Sequence, residues 1–164
     1  MEQTAQARIL RQDNGRVEPG PGEVTDRFMI DGSDTDGRFA LVQHLFAPKA
    51  MAAPLHRHHN EDEYTFVLTG VIGAVLGDEE VMAAPGDLIF KPRGQWHTFW
   101  NATDEPAGVL EIISAAGLEQ FFRWLAQLTD PPSPEKLAEM AAPYNCDVDL
   151  EGTLPIVERN GLAF

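Results

Sequence analysis

Residues 54 to 70 read PLHRHHNEDEYTFVLTG, and this stretch places a dense group of ionisable side chains directly before an apolar run. The group contains three histidines and three acids, namely His56, His58, His59, Glu61, Asp62 and Glu63. This density indicates a metal site or an acid/base site, but a single metal ion takes only a few protein ligands. The local conformation must therefore decide which side chains share a face.

A helix and a strand sort these residues differently. On a helix, His59 and Glu63 would share a face, whereas on a strand His56 and His58 point the same way and His59 points opposite. The following YTFVLTG is aromatic and β-branched and ends in glycine, which favours a strand. The pattern therefore pairs His56 with His58 and makes His59 a solvated loop residue.

The spacing also selects one acid. If His58 ends one strand and Glu63 begins the next, the four residues between them form an ordinary hairpin loop. Residues 58 and 63 then lie opposite each other with their side chains on one face, while Glu61 and Asp62 face solvent in the loop. This geometry predicts a site built from His56, His58 and Glu63.

A third imidazole follows in the stretch GDLIFKPRGQWHTFWN. Pro92 and Gly94 suit a tight turn, and the next strand carries His97 at a position that completes three nitrogens and one carboxylate around a divalent metal. Trp96 and Trp100 have the opposite parity from His97, so they suit sheet packing or a dimer interface better than substrate stacking.

The chain as a whole predicts one mainly β domain with a helical end. Short apolar strands with Gly/Pro turns between them are typical of a sandwich or barrel. After Gly117 the apolar positions change to helical spacing, Pro134 begins a second helix, and Gly161 ends a further turn. The predicted parts are an irregular lead-in over residues 1–37 with one strand at Arg27–Ile30, a β core over 38–115, and a helical extension over 116–164 that packs on the core.

Composition limits the partners and the compartment. The 164 residues suit one domain, and the net charge of −14 without a basic stripe argues against nucleic acid. The single cysteine, Cys146, suits a reducing compartment. No 18-residue apolar stretch occurs, and the initial MEQTAQARILRQ lacks the apolar region of a signal peptide. We therefore expect a cytoplasmic protein with no membrane partner.

The two histidine-containing stretches resemble the two sequence motifs of the cupin superfamily. The first motif departs only at Ala50, where the family has a glycine with a backbone role. The matching positions are His56-x-His58-x4-Glu63-x6-Gly70 and Gly86-x5-Pro92-x-Gly94-x2-His97-x3-Asn101. The resemblance extends over roughly residues 38 to 115 and implies a single jelly-roll barrel.

The resemblance implies that His56, His58, Glu63 and His97 bind one divalent transition metal per chain, with open coordination positions facing the barrel interior. Iron, nickel, manganese, cobalt, copper and zinc all suit this donor set. Side chains that share parity with the ligands are expected to line a substrate pocket, namely Thr65, Val67, Phe99 and Asn101. His44 lies on the preceding strand, where it either lines this pocket or points outward.

The chemistry implied is metal-dependent catalysis on a small organic molecule, with Glu63 as the general base. Among cupins, a single barrel with a helical tail is most similar to small bacterial quercetin 2,3-dioxygenase-like proteins. This similarity implies a dioxygenase that uses O₂ on an enolisable aromatic or diketone-type substrate. Two alternatives are an oxygen-independent isomerase, lyase or polyketide cyclase and a non-catalytic small-molecule-binding protein. Apolar residues on both strand faces also suit a homodimer that forms through the sheets.

Overall fold

The computed structural model describes residues 6–12, 16–19, 23–128, 130 and 132–163. These residues form eleven antiparallel strands and three α-helices. The strands are β1 Arg16–Pro19, β2 Val24–Ile30, β3 Ala40–Phe46, β4 Leu55–His58, β5 Asp62–Thr69, β6 Ile72–Leu76, β7 Glu79–Ala83, β8 Leu88–Lys91, β9 His97–Asn101, β10 Ala107–Ser114 and β11 Cys146–Asp149. The helices are α1 Glu119–Leu125, α2 Pro134–Ala141 and α3 Leu150–Asn160.

The strands form two sheets that pack face to face, as expected for a jelly-roll barrel. One sheet has the order β1-β2-β3-β10-β5-β8, and the other has the order β11-β4-β9-β6-β7. Inward-facing side chains of both sheets meet in one core, for example Val67 and Val109 from the first sheet with Ala74 and Phe99 from the second. The predicted mainly β barrel with a helical C-terminal part is confirmed.

The segment before the barrel is more regular than the predicted lead-in. Strands β1 and β2 pair with each other, and β2 continues onto β3, so both extend the six-stranded sheet. Strand β2 begins at Val24, three residues before the predicted strand at Arg27–Ile30. The earlier start was missed because the buried Asp26 interrupts the apolar alternation. Residues 1–5, 13–15 and 20–22 of the lead-in lie outside the described residues.

The sequence predicted a helical C-terminal part, but the structure shows that this part also contains a strand. Helix α2 begins at Pro134 and α3 ends before Gly161, as expected. Between them, β11 pairs with β4 and forms the edge of the five-stranded sheet. The sequence CDVD has two aspartates in four residues, so its strand character depends on this pairing rather than on an apolar pattern.

The helices cover two separate surfaces of the barrel. The first turn of α1 and the end of α2 pack over one end through Leu118, Phe121 and Met140. Helix α3 lies on the outer face of the five-stranded sheet, where Ile156 packs against the fully buried Trp100. The parity-based placement of Trp100 in sheet packing is therefore confirmed. No helix within the described residues is long and apolar enough to cross a membrane.

The outer side of the six-stranded sheet carries large apolar side chains that are exposed to solvent. They come from neighbouring strands, since Leu110 faces Phe66 and Phe66 faces Leu88 in the strand register. We call this surface the outer apolar face, and its exposed members are Leu45, Phe66, Leu68, Leu88, Phe90 and Ile112. A continuous apolar surface of this kind is typical of a protein–protein contact.

Candidate metal centre

The structure brings the four predicted metal ligands together inside the barrel. His56 and His58 come from β4, Glu63 from β5 and His97 from β9. All four side chains are buried. Each offers one ligand atom, and these four atoms all lie within 4.8 Å of one another. His56 and His97 face each other directly in the register of β4 and β9. The parity argument that excluded His59 agrees with this placement, because the His59 side chain is exposed.

The predicted hairpin between His58 and Glu63 is wrong. Strand β4 pairs with β9 and β11, whereas β5 pairs with β10 and β8, so the two strands belong to different sheets. The connection crosses from one sheet to the other, and β5 begins at Asp62. His58 and Glu63 therefore meet across the barrel interior. Strand parity cannot distinguish this crossing from a hairpin, because in both cases the Glu63 side chain faces the interior.

The connection also differs from the expected solvated loop. Glu61 is buried, with 7% of the residue exposed, and burial raises the pKa of its carboxyl. Asp62 binds Arg93 at 2.7 Å, and hydrogen bonds from Arg93 lower the pKa of Asp62 to about 2. The prediction that Glu61 faces solvent is therefore wrong. The local sequence gave no signal for the burial of Glu61, because this burial arises from the crossing between the two sheets.

Backbone carbonyls fix the orientation of two of the imidazoles. His56 Nδ1 lies 2.7 Å from the carbonyl oxygen of Pro54, and His97 Nδ1 lies 3.0 Å from that of Gln95. Because a carbonyl only accepts hydrogen bonds, each Nδ1 carries the proton and donates it. Each Nε2 is then left as a lone-pair donor, which is the arrangement that metal-binding histidines use.

The remaining polar atoms of the cluster fit a metal ion. His58 Nε2 lies 3.4 Å from Glu63 Oε1, and His97 Nε2 lies 3.2 Å from Glu63 Oε2. Within the described part of the chain, neither Nε2 atom forms a hydrogen bond, although both are buried. Buried polar atoms without a partner are costly, and a shared cation satisfies them together. Three imidazoles and one carboxylate form a donor set for a divalent transition metal.

The charge states of the cluster are set by burial and by neighbouring charges. Burial lowers the pKa of His97, while burial and the other imidazoles hold the pKa of His56 well below its usual range. Burial opposes the charge of Glu63, yet Lys91 and His58 hold its pKa well below the usual range. Burial likewise acts to lower the pKa of His58, but the Glu63 carboxylate and then Cys146 raise it to about 10.

A buried cation that the sequence analysis missed lies beside the cluster. Lys91 Nζ lies 2.8 Å from Glu63 Oε2 and 2.8 Å from Glu111 Oε1. The Thr65 hydroxyl donates to the Glu111 carboxylate at 2.9 Å. Both charged residues occupy inward-facing positions of apolar strands, LIFK and VLEII, and that parity was the signal available in the sequence. Lys91 therefore links the ligand Glu63 to a second buried carboxylate.

The structure decides the two alternatives for His44 in favour of the interior. Its Nδ1 lies 2.7 Å from Asp26 Oδ1, and its Nε2 lies 3.7 Å from Glu111 Oε2. Edge-to-face contacts with Phe99 and Phe122 hold the imidazole ring. Burial acts to lower the pKa of His44, but Asp26 and then Glu111 raise it above its ordinary value.

An apolar cavity of about 570 Å³ lies next to the cluster. Its walls include His56, His58 and Glu63 together with His44 and Phe99. Most other wall residues are apolar and come from β2, the residues before β4 and the C-terminal part, for example Val24, Met51, Phe121, Phe122, Leu125, Leu137 and Val148. The volume is in the range of pockets that bind small organic molecules.

Three residues that were expected to line the pocket are buried elsewhere. The Thr65 hydroxyl donates a hydrogen bond to the Glu111 carboxylate, and Val67 lies in the core between the sheets. The Asn101 amide donates to the carbonyl oxygens of Ala47 and Glu105, so it fixes the loop after β9. Parity placed these residues correctly in the interior, but the cavity occupies only the end of the barrel that the C-terminal part covers.

Comparison with known proteins identifies the barrel. Residues 42–113 match the family described as Cupin domain. A 64-residue segment is 38% identical to the oxidoreductase iacF of Pestalotiopsis fici and covers 38% of this chain and 30% of that protein. The chain therefore spans less than a third of the length of this curated relative.

Solved structures share the same fold. The polyketide cyclase RemF from Streptomyces resistomycificus is 28% identical, with a TM-score of 0.58 over 67% of this chain and 80% of that chain. A sugar phosphate isomerase from Silicibacter pomeroyi is 26% identical, with a TM-score of 0.56 over 65% of this chain and 75% of that chain. A predicted oxalate decarboxylase from Thermotoga maritima is 20% identical, with a TM-score of 0.61 over 66% of this chain and 99% of that chain, and this likeness concerns the fold alone. Domain match, fold and motif spacing agree, and residues 42–113 form a cupin domain.

Proposed function

We propose that this protein is a metal-dependent enzyme that acts on an enolisable, mainly apolar small molecule. The observation that carries the proposal is the cluster of His56, His58, Glu63 and His97, three members of which, His56, His58 and Glu63, line an apolar cavity of about 570 Å³. A structural metal site is usually closed and stands apart from a ligand cavity, whereas a catalytic one keeps a position open towards it. Iron, nickel, manganese, cobalt, copper and zinc all remain compatible with these donors.

A bound divalent metal would supply Lewis acidity, which favours the deprotonated form of a substrate hydroxyl or enol. Glu63 would accept the proton, since its carboxylate lines the cavity. Lys91 binds Oε2 of the same carboxylate and keeps it oriented. The apolar walls would exclude water while the proton moves.

The charges of the cavity favour an uncharged substrate. Among the described residues that line it, the ionisable groups are acids, histidines and the thiol of Cys146, and neither lysine nor arginine occurs. A phosphorylated or polycarboxylate substrate normally requires such cations. We therefore favour an aromatic or diketone-type substrate over a sugar phosphate, the substrate class in the name of the Silicibacter pomeroyi structure.

The first candidate reaction is dioxygenation, with O₂ as second substrate. The segment that is 38% identical to an oxidoreductase supports redox chemistry at this site. In this reaction Glu63 would take the hydroxyl proton of a flavonol-like or diketone substrate, and O₂ would cleave the activated ring or C–C bond.

The second candidate is an oxygen-independent reaction of the isomerase, lyase or polyketide-cyclase type. The 28% identity to a polyketide cyclase over two thirds of the chain supports it. Both reactions begin with the same proton removal and differ only in the need for O₂. A non-catalytic binding protein would hold the same ligand without converting it.

One experiment separates these candidates. The protein is loaded in turn with each candidate metal and supplied with quercetin and with benzoylacetone, while O₂ uptake and product formation are followed. Dioxygenation predicts substrate loss coupled to O₂ uptake, whereas the alternative predicts product under anaerobic conditions. Both activities should disappear in His58→Ala and persist in His59→Ala. Binding of these substrates without conversion under every metal and gas condition would contradict the enzymatic proposal.

Three further expectations belong to this proposal. The helical C-terminal part and the barrel would act as one domain, because both line the cavity. The outer apolar face supports a homodimer formed through the six-stranded sheets. Cytoplasmic location stays a prediction from the sequence.

A further inference from the structure

We propose that His44 is a second catalytic residue, which donates a proton from Nε2 to the substrate in the cavity, and that Asp26 positions it. This inference rests on the proposed function, because it concerns the same cavity and the same substrate. It adds a proton donor to a site whose metal cluster accounts only for proton removal. The argument depends on the orientation of the ring, on the charges around it and on its position in the cavity.

The orientation of the His44 ring is fixed by its partners. Nδ1 lies 2.7 Å from Asp26 Oδ1, and a carboxylate in this position accepts the Nδ1 proton. Phe46, Phe99 and Phe122 contact the ring edge-to-face and leave it little freedom to turn. Nε2 is therefore the nitrogen that remains for proton exchange, as in other carboxylate–histidine pairs used in catalysis.

The charges around His44 favour its protonated form. Asp26 on β2 and Glu111 on β10 both face the ring. Lys91 on β8 lies against Glu111, and its positive charge disfavours protonation of the imidazole. The aromatic neighbour on α1 contributes no titratable group. Burial disfavours the imidazolium, yet the two carboxylates raise the pKa of His44 overall. A buried imidazolium between two acids is a suitable general acid near neutral pH.

The position of His44 brings it to the substrate. The same cavity is lined by His44 and Asp26 and by His56, His58 and Glu63, so a molecule bound at the cluster also faces the imidazole. Nε2 lies 3.7 Å from Glu111 Oε2, which is too long for a hydrogen bond and leaves its proton available. A purely structural histidine in an apolar wall would need both ring nitrogens satisfied.

The proton transfer balances without a further reactant. The Nε2–H bond breaks and its electron pair stays on Nε2, while an electron pair of the enolate oxygen or carbon forms the new bond to hydrogen. The substrate regains from His44 the one proton that it lost to Glu63. When the product leaves, Glu63 releases its proton to solvent and neutral His44 takes one proton from solvent, so the cycle neither gains nor loses protons.

The first test measures the imidazole in the full-length chain, loaded with Zn(II) and labelled with ¹⁵N-histidine. We expect His44 to titrate above free histidine and Asp26→Asn to lower its midpoint by at least one pH unit, a tenfold change in proton affinity. Addition of 2-hydroxyacetophenone, an aryl ketone that fits an apolar cavity, should shift the His44 Nε2 resonance. An ordinary midpoint, an unchanged midpoint in Asp26→Asn, or an Nε2 resonance that the ketone leaves in place would each overturn the proposal.

The second test measures turnover of the substrate found by the metal and O₂ screen. His44→Gln should lower kcat by about 10²-fold or more at unchanged metal content, in the range of a lost general acid. Asp26→Asn should move the alkaline limb of the kcat/KM profile to lower pH. The matched control is His59→Gln, because His59 also forms a short pair with a carboxylate, Asp147, at 2.9 Å on the exposed surface.

The outcomes separate this inference from the proposed function. Turnover by the wild type that persists within threefold in His44→Gln overturns the role of His44 alone. An absence of turnover by the wild type with every metal, in air and under anaerobic conditions, overturns the proposed function and the catalytic role with it. Metal loss in His44→Gln would assign the residue to the metal cluster and would also overturn the proposal.

Discussion

Replacement of Lys91 by methionine is expected to destabilise the fold strongly, because the ammonium group lies between two buried carboxylates. Its Nζ is 2.8 Å from Glu63 and 2.8 Å from Glu111, and the three side chains are almost completely excluded from solvent. Methionine preserves roughly the length of the side chain, so the measured loss reports mainly on charge, including the charge of Nζ over the Phe99 ring at 4.1 Å. The variant leaves both carboxylates without their cation.

The magnitude follows from the two ion pairs. At an effective dielectric constant of about 20, two unit charges at this distance attract by roughly 6 kcal/mol. The cost of burying the ammonium offsets much of this attraction, and removal of one partner from a buried ion pair typically costs about 3–5 kcal/mol. For a domain of this size each kcal/mol corresponds to roughly 2–4 °C. We therefore expect the melting temperature to fall by roughly 6–20 °C.

The assays are thermal denaturation and urea denaturation, both in the presence of EDTA, since a bound metal would add its own stabilisation of the native state. Lys91→Met combined with Glu111→Gln should recover part of the loss, because one of the two stranded carboxylates is then neutral. Lys136→Met is the matched control, as Lys136 pairs with Glu139 on the exposed surface of α2 at 3.2 Å and should cost no more than about 0.5 kcal/mol. A loss below about 1 kcal/mol in Lys91→Met, with an unchanged urea dependence, would refute the electrostatic argument.

Three further predictions concern the ligands, the acid range and the outer apolar face. His58→Ala should lose stoichiometric metal after dialysis while His59→Ala keeps it, and elemental analysis showing the reverse would refute the placement of the ligands. The pKa of Asp62 is about 2, below the ordinary 3.8, so its contribution to stability is complete above about pH 4 and is lost as the pH falls through 2. Asp62→Asn should therefore show a smaller decline in urea midpoint over this range, and equal declines in both proteins would contradict the assignment. Phe66→Asp should convert a dimer into a monomer in light scattering after gel filtration, whereas an unchanged mass would exclude this face as the contact.

The sequence predicted the composition of the metal cluster because strand parity depends only on local spacing. His56 and His58 are two residues apart on one strand, and Glu63 and His97 occupy inward-facing positions on two others. Short strands with Gly/Pro turns indicated a sandwich or a barrel, and the resemblance to the cupin motifs selected the barrel. The choice of Glu63 assumed a hairpin with the strand of His58, and it was correct although the hairpin was wrong, because the Glu63 side chain faces the interior in either connection.

Features that depend on long-range pairing could not be predicted in this way. The crossing between β4 and β5 looks like a hairpin from spacing alone, so the burial of Glu61 was missed. Strand β11 has a polar sequence and is a strand because it pairs with β4. Strand parity alone assigns Lys91 and Glu111 to inward-facing positions, but only the register of β8, β5 and β10 shows that the two charges form a pair. Their burial depends on each other, and a single sequence does not reveal such pairs.

The edge position of β11 has a consequence for the order in which the chain acquires its site. The ligand strand β4 is bordered on one side by residues that lie far along the chain, since Arg57 binds Asp147, 90 residues away, and the Leu55 amide donates to Thr153, 98 residues away. Contacts of such large sequence separation form late, because the loop they close must first lose its entropy. During synthesis β4 therefore keeps an open edge until residues 146–153 have left the ribosome. A metal ion that arrives earlier would meet histidines whose strand is not yet held in its sheet, so we expect stable loading to follow the completion of the C-terminal part.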